Sequence, residues 1–258
     1  MTVKDKILQG RTYLGIELGS TRIKAVLIDD SFSVIASGSK QWENRFENGC
    51  WTYSLDDIHG GIQACYKDLA ENVKAQYGIY PETYGAMGIS AMMHGYMAFD
   101  KNDKLLVPFR TWRNTMTAQA AGELTKLLGF NIPQRWSIAH LYQAVLNKEA
   151  HVPHIAYINT LAGYVHKRLT DRFEVGVGEA SGIFPVEGIG YKKEYLELTE
   201  KSLAEKGFDH KLKDILPAVR NAGEKGAALT EEGARFLDPE GHLKAGVPVC
   251  PPEGDAGT

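Results

Sequence analysis

The sequence predicts an α/β domain in which helices flank a mixed sheet with antiparallel N-terminal strands. Three features support this prediction: β-type apolar runs open the chain, a long amphipathic helix follows them, and further apolar runs then alternate with helical segments. The chain has 258 residues, enough for one large domain or two small ones. Its 43% hydrophobic and 24% charged residues are typical of a soluble globular protein.

Charge and composition exclude several classes of partner. The net charge of −3 is unlike that of a dedicated nucleic-acid-binding protein, and no apolar run reaches the ~18 residues of a membrane helix. The first residues lack the apolar core of a signal peptide. The three cysteines, Cys50, Cys65 and Cys250, form no CxxC pair. We therefore expect a cytoplasmic protein with reduced thiols and with neither nucleic-acid nor membrane partners.

The first strands are predicted from two apolar runs around a short turn. Residues 12–18 (TYLGIEL) and 23–28 (IKAVLI) are rich in β-formers, and a Gly-Ser-Thr turn separates them. This pattern predicts a hairpin, and residues 33–41 are expected to add a third strand. The next expected strands are residues 84–90, 96–100 and 246–250.

The first long helix is predicted from its N-cap and its apolar face. Ser54 precedes two aspartates, as at a capped helix N-terminus, and Gly78 marks the expected end. The apolar positions follow at spacings of three and four: Ile58, Ile62, Cys65, Leu69 and Val73. Further helices are expected at residues 114–128, 137–147, 155–169, 192–206 and 230–237.

The turn of the first hairpin is the first candidate site. Gly19, Ser20 and Thr21 expose backbone N–H groups that can hold a phosphate. Glu17 can reach a magnesium ion directly or through water, and Lys24 can face an anion. A hairpin turn that only needs Gly and Ser is the alternative interpretation, and no GxxxxGK[ST] loop is present.

Two further candidate sites combine polar and aromatic side chains. Met93 and His94 follow a predicted strand, where ligands often bind in α/β sheets, and the imidazole can both donate to and accept from a polyol. Trp112, Arg113 and Asn114 offer a flat apolar face and hydrogen-bond donors. Core packing of His94 and capping of the following helix by the second group are the alternatives.

Asp255 is the fourth candidate. It lies in a Gly-rich stretch that lets a substrate approach the backbone, and its carboxylate can accept a proton from an attacking hydroxyl. An aspartate in an ordinary Gly-rich turn is the alternative interpretation.

Taken in order, the strings YLGIELGSTRIKAVLID, GISAMMHGYMAFD, RTWRN and PVCPPEGDAGT resemble the FGGY carbohydrate kinase family, in its xylulokinase-like branch. The resemblance covers nearly the whole chain and implies the N-terminal domain of a two-domain kinase. It implies a ribonuclease H-like (actin-like ATPase) fold and transfer of the γ-phosphoryl group of ATP, with Mg²⁺, to a terminal sugar hydroxyl. A ketopentose such as xylulose is the acceptor that this branch implies.

The resemblance also implies roles for the candidate residues. Asp255 matches the catalytic base, and Mg²⁺ is expected near Glu17 and Asp255. The phosphate-binding residues implied are Gly19, Ser20, Thr21 and Lys24. The substrate-binding residues implied are Met93, His94, Trp112, Arg113 and Asn114.

Two departures from the family pattern bear on the substrate. Glu17 stands where the family usually has Asp, and Trp112-Arg113-Asn114 replaces a usual Trp-Asn-Asp or Trp-Gln-Asp. The second change removes an acid and adds a cation, which puts xylulose in question and leaves room for an acidic or modified sugar.

The resemblance predicts two domains and leaves two other functions open. Residues 1–246 are expected to form the sugar-binding domain, and residues 247–258 to start a truncated nucleotide-binding domain. A homodimer is left open. The alternative functions are a non-catalytic sugar-sensing relative, which Glu17 favours, and a sugar-independent actin-like ATPase.

Overall fold

The structure is a computed structural model that describes residues 1–224 and 226–256. Its strands are β1 (Thr12–Leu18), β2 (Arg22–Asp29), β3 (Val34–Gln41), β4 (Arg45–Glu47), β5 (Cys50–Thr52), β6 (Ala86–Ala91), β7 (Met97–Phe99), β8 (Tyr157–Asn159), β9 (Glu174–Gly176), β10 (Val186–Glu187), β11 (Gly190–Tyr191), β12 (Ala218–Arg220), β13 (Ala227–Ala228), β14 (Pro248–Val249) and β15 (Glu253–Gly254). Its helices are α1 (Val3–Leu8), α2 (Leu55–Tyr77), α3 (Ala118–Leu128), α4 (Ser137–Leu146), α5 (Leu161–Thr170), α6 (Val177–Ala180), α7 (Lys193–Ala204), α8 (Leu212–Ile215) and α9 (Glu231–Leu237).

The central sheet is mixed, as the sequence predicts. Its strand order is β13-β14-β6-β1-β2-β3, and β15 also pairs with β6. The β1–β2 hairpin and the added β3 are antiparallel, whereas β6 runs parallel to β1. Both β14 and β15 are parallel to β6. The carboxyl ends of β1, β6 and β15 therefore lie at one edge of the sheet.

One face of this sheet is covered by helices. Along β1 and β2 every second side chain is buried, and this face packs against α2 and α5. The predicted start of α2 is confirmed: Ser54 accepts a hydrogen bond from the Asp57 N–H in a capping box. The predicted end is also confirmed, because Gly78 takes the left-handed conformation with φ 75°.

A second apolar cluster lies beside the sheet. Helices α3, α4, α7 and α8 contribute to it, together with short strand pairs such as β7–β8 and β9–β12. Large buried side chains at its centre include Tyr96, Leu141 and Phe184. The two clusters together fill the interior that a chain of this length can bury.

The structure corrects two sequence-based elements. The predicted helix 155–169 begins with strand β8, because β8 pairs with β7 and Thr160 then caps α5 by accepting from the Gly163 N–H. The strand expected at residues 96–100 is confirmed as β7, which pairs with β8 in a separate two-stranded sheet. The helix expected from residue 114 begins only at Ala118, after a segment whose Asn114 amide is bonded to backbone groups.

The predicted division into domains at residue 246 stays a prediction. β14 and β15 pair with β6, so strands on the far side of residue 246 join the central sheet. The last two residues of the predicted second segment, Gly257 and Thr258, lie outside the described residues.

The described residues contain no helix that is both long and apolar enough to cross a bilayer. All three cysteines are free thiols; Cys50 and Cys65 are buried and Cys250 is exposed.

A buried carboxyl in α6 has no hydrogen bond of normal geometry among the described residues. Glu179 is 0% exposed, and neither carboxyl oxygen has a well-formed hydrogen bond. Burial raises the pKa of Glu179 to about 8; the nearby Thr160 hydroxyl opposes the rise, and the carboxylates of Glu253 and Asp255 add to it. The folded protein therefore holds this group in its neutral form at neutral pH.

We expect Gly38→Ala to destabilise the fold. Gly38 lies in β3 where α2 crosses, and an added Cβ would overlap the backbone of Leu69 and Cys65. Overpacking of this kind costs about 1–3 kcal/mol or more in the free energy of unfolding. The matched control is Gly60→Ala in the same helix, where an added Cβ meets nothing within 4 Å. The control gains about 0.5–1 kcal/mol, and equal urea midpoints for the two variants would contradict this packing.

We expect Glu179→Gln to change how stability depends on pH. The folded-state pKa of about 8 lies above the ordinary value of 4.5, so the folded state holds a proton that the unfolded state loses as pH rises between them. Stability of the wild type therefore falls across that range, by about 3–4 kcal/mol between pH 5 and pH 8. The Gln variant lacks this contribution, and its denaturation curves should shift relative to wild type by that amount. Glu194→Gln, at an exposed position of α7, is the control, and parallel pH profiles for wild type and Glu179→Gln would refute the assignment.

Candidate functional site

Three strand ends meet at the edge where the candidate residues lie. The Met92 N–H donates to the Leu18 carbonyl at 3.0 Å, which joins the end of β6 to the end of β1. The Asp255 N–H donates to the Ala91 carbonyl at 2.8 Å, and the Met93 N–H donates to Asp255 Oδ1 at 3.1 Å. The structure thus brings Asp255 and Met93, two of the predicted residues, into direct contact.

The segment after Met93 has a strained backbone. His94 has φ 69° and Gly95 has φ 92°, so a non-glycine residue occupies the left-handed region. An added Cβ on Gly95 would meet the Arg110 carbonyl and the Phe109 ring. Burial lowers the pKa of His94 and Arg135 adds to this, so the imidazole is neutral near pH 7. A neutral imidazole can donate one hydrogen bond and accept another, which suits a hydroxyl ligand.

The hairpin turn is held by two aromatic side chains that the sequence analysis did not identify. Trp42 Nε1 donates to the Gly19 carbonyl at 2.7 Å, and the Tyr53 hydroxyl donates to the Ser20 carbonyl at 2.5 Å. The two rings stack with centroids 4.1 Å apart. Because both donors bind carbonyl oxygens of the turn, they fix the orientation of its peptide groups.

The predicted Glu17 and Lys24 lie opposite each other on β1 and β2. Lys24 Nζ is 3.4 Å from Glu17 Oε2, and both side chains are about half exposed. Glu17 pairs across the sheet with Ser90, which in turn pairs with Glu253, so these positions form one row on the open face. They line a cleft of about 470 Å³. Asp255 lies two residues beyond Glu253, at the edge of the same face.

The acidic residues fit a magnesium ion that keeps water and phosphate ligands. Across the described ranges 1–224 and 226–256, no three His, Cys, Asp or Glu side chains lie together as a metal cluster. Mg²⁺ is commonly bound by one or two carboxylates together with waters and substrate phosphates. Glu17 and Asp255 provide carboxylates of that kind, and neither is buried.

The predicted residues Trp112, Arg113 and Asn114 separate into two groups. Trp112 is 42% exposed and, with Arg113, lines a cleft of about 580 Å³ that also includes Ser20 and Thr21. Asn114 is buried instead: its Oδ1 accepts from the Trp51 N–H, and its Nδ2 donates to the carbonyls of Trp51 and Thr111. Its predicted contact with a substrate stays a prediction, and its visible contacts position its neighbours.

The partly buried ion pair between Arg110 and Glu149 supports the chain just before Trp112. Arg110 is 9% exposed and pairs with Glu149 through both guanidinium nitrogens. The N–H and carbonyl groups of Arg110 and Tyr96 are bonded to each other, and Ser137 Oγ donates to the Gly95 carbonyl at 2.6 Å. The strained His94–Gly95 segment is therefore held from two sides.

A second acid, Glu253, was also missed by sequence reasoning. Its carboxylate accepts from the Glu179 N–H at 2.8 Å. An added Cβ on Gly176 or Gly178 would overlap it, so these glycines make room for the carboxylate. Sequence patterns could not reveal this contact, because it joins residues 74 positions apart.

Similarity to known proteins extends over most of the chain. The family model "FGGY family of carbohydrate kinases, N-terminal domain" matches residues 12–257. Xylulose kinase of Haemophilus influenzae is 24% identical over 239 residues, covering 87% of this chain and 47% of that protein.

Solved structures show the same fold. The crystal structure described as a xyloylose kinase from Brucella ovis aligns over 95% of this chain and 49% of its own, with a TM-score of 0.75 and 22% identity. Gluconate kinase from Lactobacillus acidophilus aligns over 95% and 48%, with a TM-score of 0.71 and 18% identity. The chain therefore spans about half the length of these relatives, and the predicted actin-like ATPase fold is confirmed. On the match over residues 12–257, the chain belongs to the FGGY family of carbohydrate kinases, in which it corresponds to the N-terminal domain.

Proposed function

We propose that this chain is the sugar-binding half of an ATP-dependent carbohydrate kinase, with Asp255 as the catalytic base. The observation that carries the proposal is the hydrogen bond from the Met93 N–H to Asp255 Oδ1. This bond joins the Asp255 carboxylate, which follows β15, to the backbone next to the strained His94 segment, and it supports binding of a polyol hydroxyl there. The family match supports the reaction class.

Each residue of the site would have a distinct role in this reaction. Asp255 Oδ1 accepts from the Met93 N–H, which leaves Oδ2 to take the proton of a terminal hydroxyl as the hydroxyl oxygen bonds to the γ-phosphorus of ATP and ADP leaves with the bridging oxygen. The neutral His94 and the exposed face of Trp112 orient the sugar. The Gly19 N–H donates to the Arg22 carbonyl at 3.1 Å, so the backbone N–H groups of Ser20 and Thr21, together with the Lys24 ammonium, stabilise charge on the transferring phosphoryl group.

The donor in this proposal is ATP, with Mg²⁺ held by Glu17, Asp255 and the phosphates. When bound, the ion supplies charge neutralisation between the phosphate oxygens. Glu17 is paired with Lys24 at 3.4 Å, so the carboxylate and the ammonium hold each other at the mouth of the cleft.

For the acceptor, the names of the relatives favour a ketopentose such as xylulose. The gluconate kinase among the structural neighbours has the same fold and is named for a sugar acid. The family, the fold and the strand-end site are compatible with both a ketopentose and a sugar acid. The acceptor therefore has to be inferred from the charge of the residues that line the cleft around Trp112.

We expect Asp255→Asn to reduce turnover by about 10²–10⁴-fold, since Asn accepts the Met93 hydrogen bond but cannot take a proton. The measurement is ADP formation by a protein that contains this chain and is active with a sugar. Sugar affinity should change little. Asp209→Asn, at an exposed position, is the control. Near-wild-type turnover of the Asp255 variant would refute its role as base.

We expect Tyr53→Phe to weaken the phosphate-binding turn. The change leaves the Ser20 carbonyl without its donor and costs about 1 kcal/mol of stability. It should also lower affinity for ATP, measured by calorimetry. Tyr66→Phe is the matched control, because it removes a buried hydroxyl that bonds Tyr84 instead of the turn. If both variants bind ATP equally well, the Tyr53 hydroxyl does not position this turn for phosphate.

A further inference from the structure

The aromatic and amide side chains around Arg113 form a wall suited to a polyol. The 580 Å³ cleft is lined by two tryptophans, Trp42 and Trp112, and by the amide side chains of Gln41 and Asn44. Tryptophan faces pack on the C–H surfaces of sugars, and amides bond to hydroxyls. Neither end of the buried Asn44 amide has a hydrogen-bond partner of normal geometry within the described residues.

Arg113 adds a fixed cation to this wall. Its guanidinium carbon lies 3.6 Å from the centre of the Trp51 ring, so one flat face of the group is covered. The Trp51 ring packs in turn against Phe46 in a tilted arrangement, with centroids 5.0 Å apart and an interplanar angle of 50°. A stacked guanidinium keeps its N–H edge free for an oxyanion while its plane is held in place.

The position of Trp51 is itself fixed by the residue next to Arg113. The Asn114 amide bonds both the N–H and the carbonyl of Trp51, and the Thr111 N–H donates to the same carbonyl at 3.2 Å. Two contacts therefore hold Arg113 in position. Its backbone lies between Thr111 and Asn114, which both bond to Trp51, and its guanidinium packs on the Trp51 ring. Little side-chain freedom remains to be lost when an anion binds.

No carboxylate in the described part of the chain forms an ion pair with this cation. Within residues 1–224 and 226–256, Arg113 has no acidic side chain within 4.0 Å, whereas most other arginines do. Glu43 lines the same cleft without forming an ion pair with it. A pre-positioned guanidinium in a sugar-sized cleft thus lacks its natural counter-ion.

We propose that Arg113 binds the carboxylate of an acidic acceptor, so that the substrate is a sugar acid instead of a neutral ketopentose. This inference rests on the proposed function and departs from the acceptor that the relatives' names favour. The polyol chain would lie along Trp112, with its carboxylate on the N–H edge of Arg113 and its far hydroxyl towards Asp255. A planar, two-oxygen anion matches that edge better than a hydroxyl does.

The test compares ligands that differ only at one end. D-gluconate and D-glucitol share their hydroxyl pattern but carry a carboxylate or a CH₂OH group at C1. We expect the chain to bind gluconate about tenfold or more tightly than glucitol by calorimetry at low salt. Arg113→Gln should remove this preference and leave glucitol affinity within about twofold, while Arg113→Lys should retain part of it. Arg235→Gln, in an exposed ion pair on α9, controls for net charge.

A second variant, Glu43→Gln, and a second anionic ligand, ATP, show whether Arg113 binds a sugar carboxylate or a phosphate. Glu43→Gln removes the acid in the cleft and should strengthen gluconate binding without affecting glucitol. Equal affinities for gluconate and glucitol in the wild type would overturn the inference but leave the proposed kinase standing. If Arg113→Gln instead weakened ATP binding and spared gluconate, the oxyanion bound by Arg113 would be the donor phosphate, and the sugar-acid inference would fail. A folded chain that binds neither gluconate, glucitol nor D-xylulose would contradict the proposed function as well.

Discussion

Pairing between β15 and β6 positions the whole candidate site. Two hydrogen bonds, from the Asp255 N–H to Ala91 and from the Met93 N–H to Asp255, join residues that are 162 or more positions apart in the chain. This contact requires a small residue, since an added Cβ on Gly254 would meet Met93 and Glu179. Asp255, the Met93–Gly95 segment and the buried Glu179 carboxyl are therefore one packed unit, and moving any of them disturbs the others.

A short segment between β3 and α2 links the two halves of the site. It contributes Trp42 and Tyr53, which donate to carbonyls of the Gly19–Thr21 turn, and Trp51, which covers one face of Arg113. Aromatic side chains lose little conformational entropy when ordered, which makes them efficient supports for a site.

Local patterns predicted the parts of the fold that depend on local physics. The β1–β2 hairpin followed from alternation around a Gly-Ser-Thr turn, and α2 followed from the Ser54 cap and its apolar face. The position of β15 beside β6 could not be predicted from the residues, because strand pairing over such a separation has no local signature. The same holds for Tyr53, whose hydroxyl finds its partner 33 positions away, and for Asn114, whose burial depends on β5. The order of the four motifs, and not any one motif, carried the prediction of the site.

The most direct test of this account is to map amide chemical shifts of the chain while it is titrated with D-gluconate or D-xylulose. We expect Met93, His94, Gly95, Trp112 and Asp255 to shift together and to saturate with one affinity, because the proposed sugar would contact all of them and a hydrogen bond joins Met93 to Asp255. Shifts confined to the cleft around Gly15 and Gly88, with none at Met93 or Asp255, would contradict it.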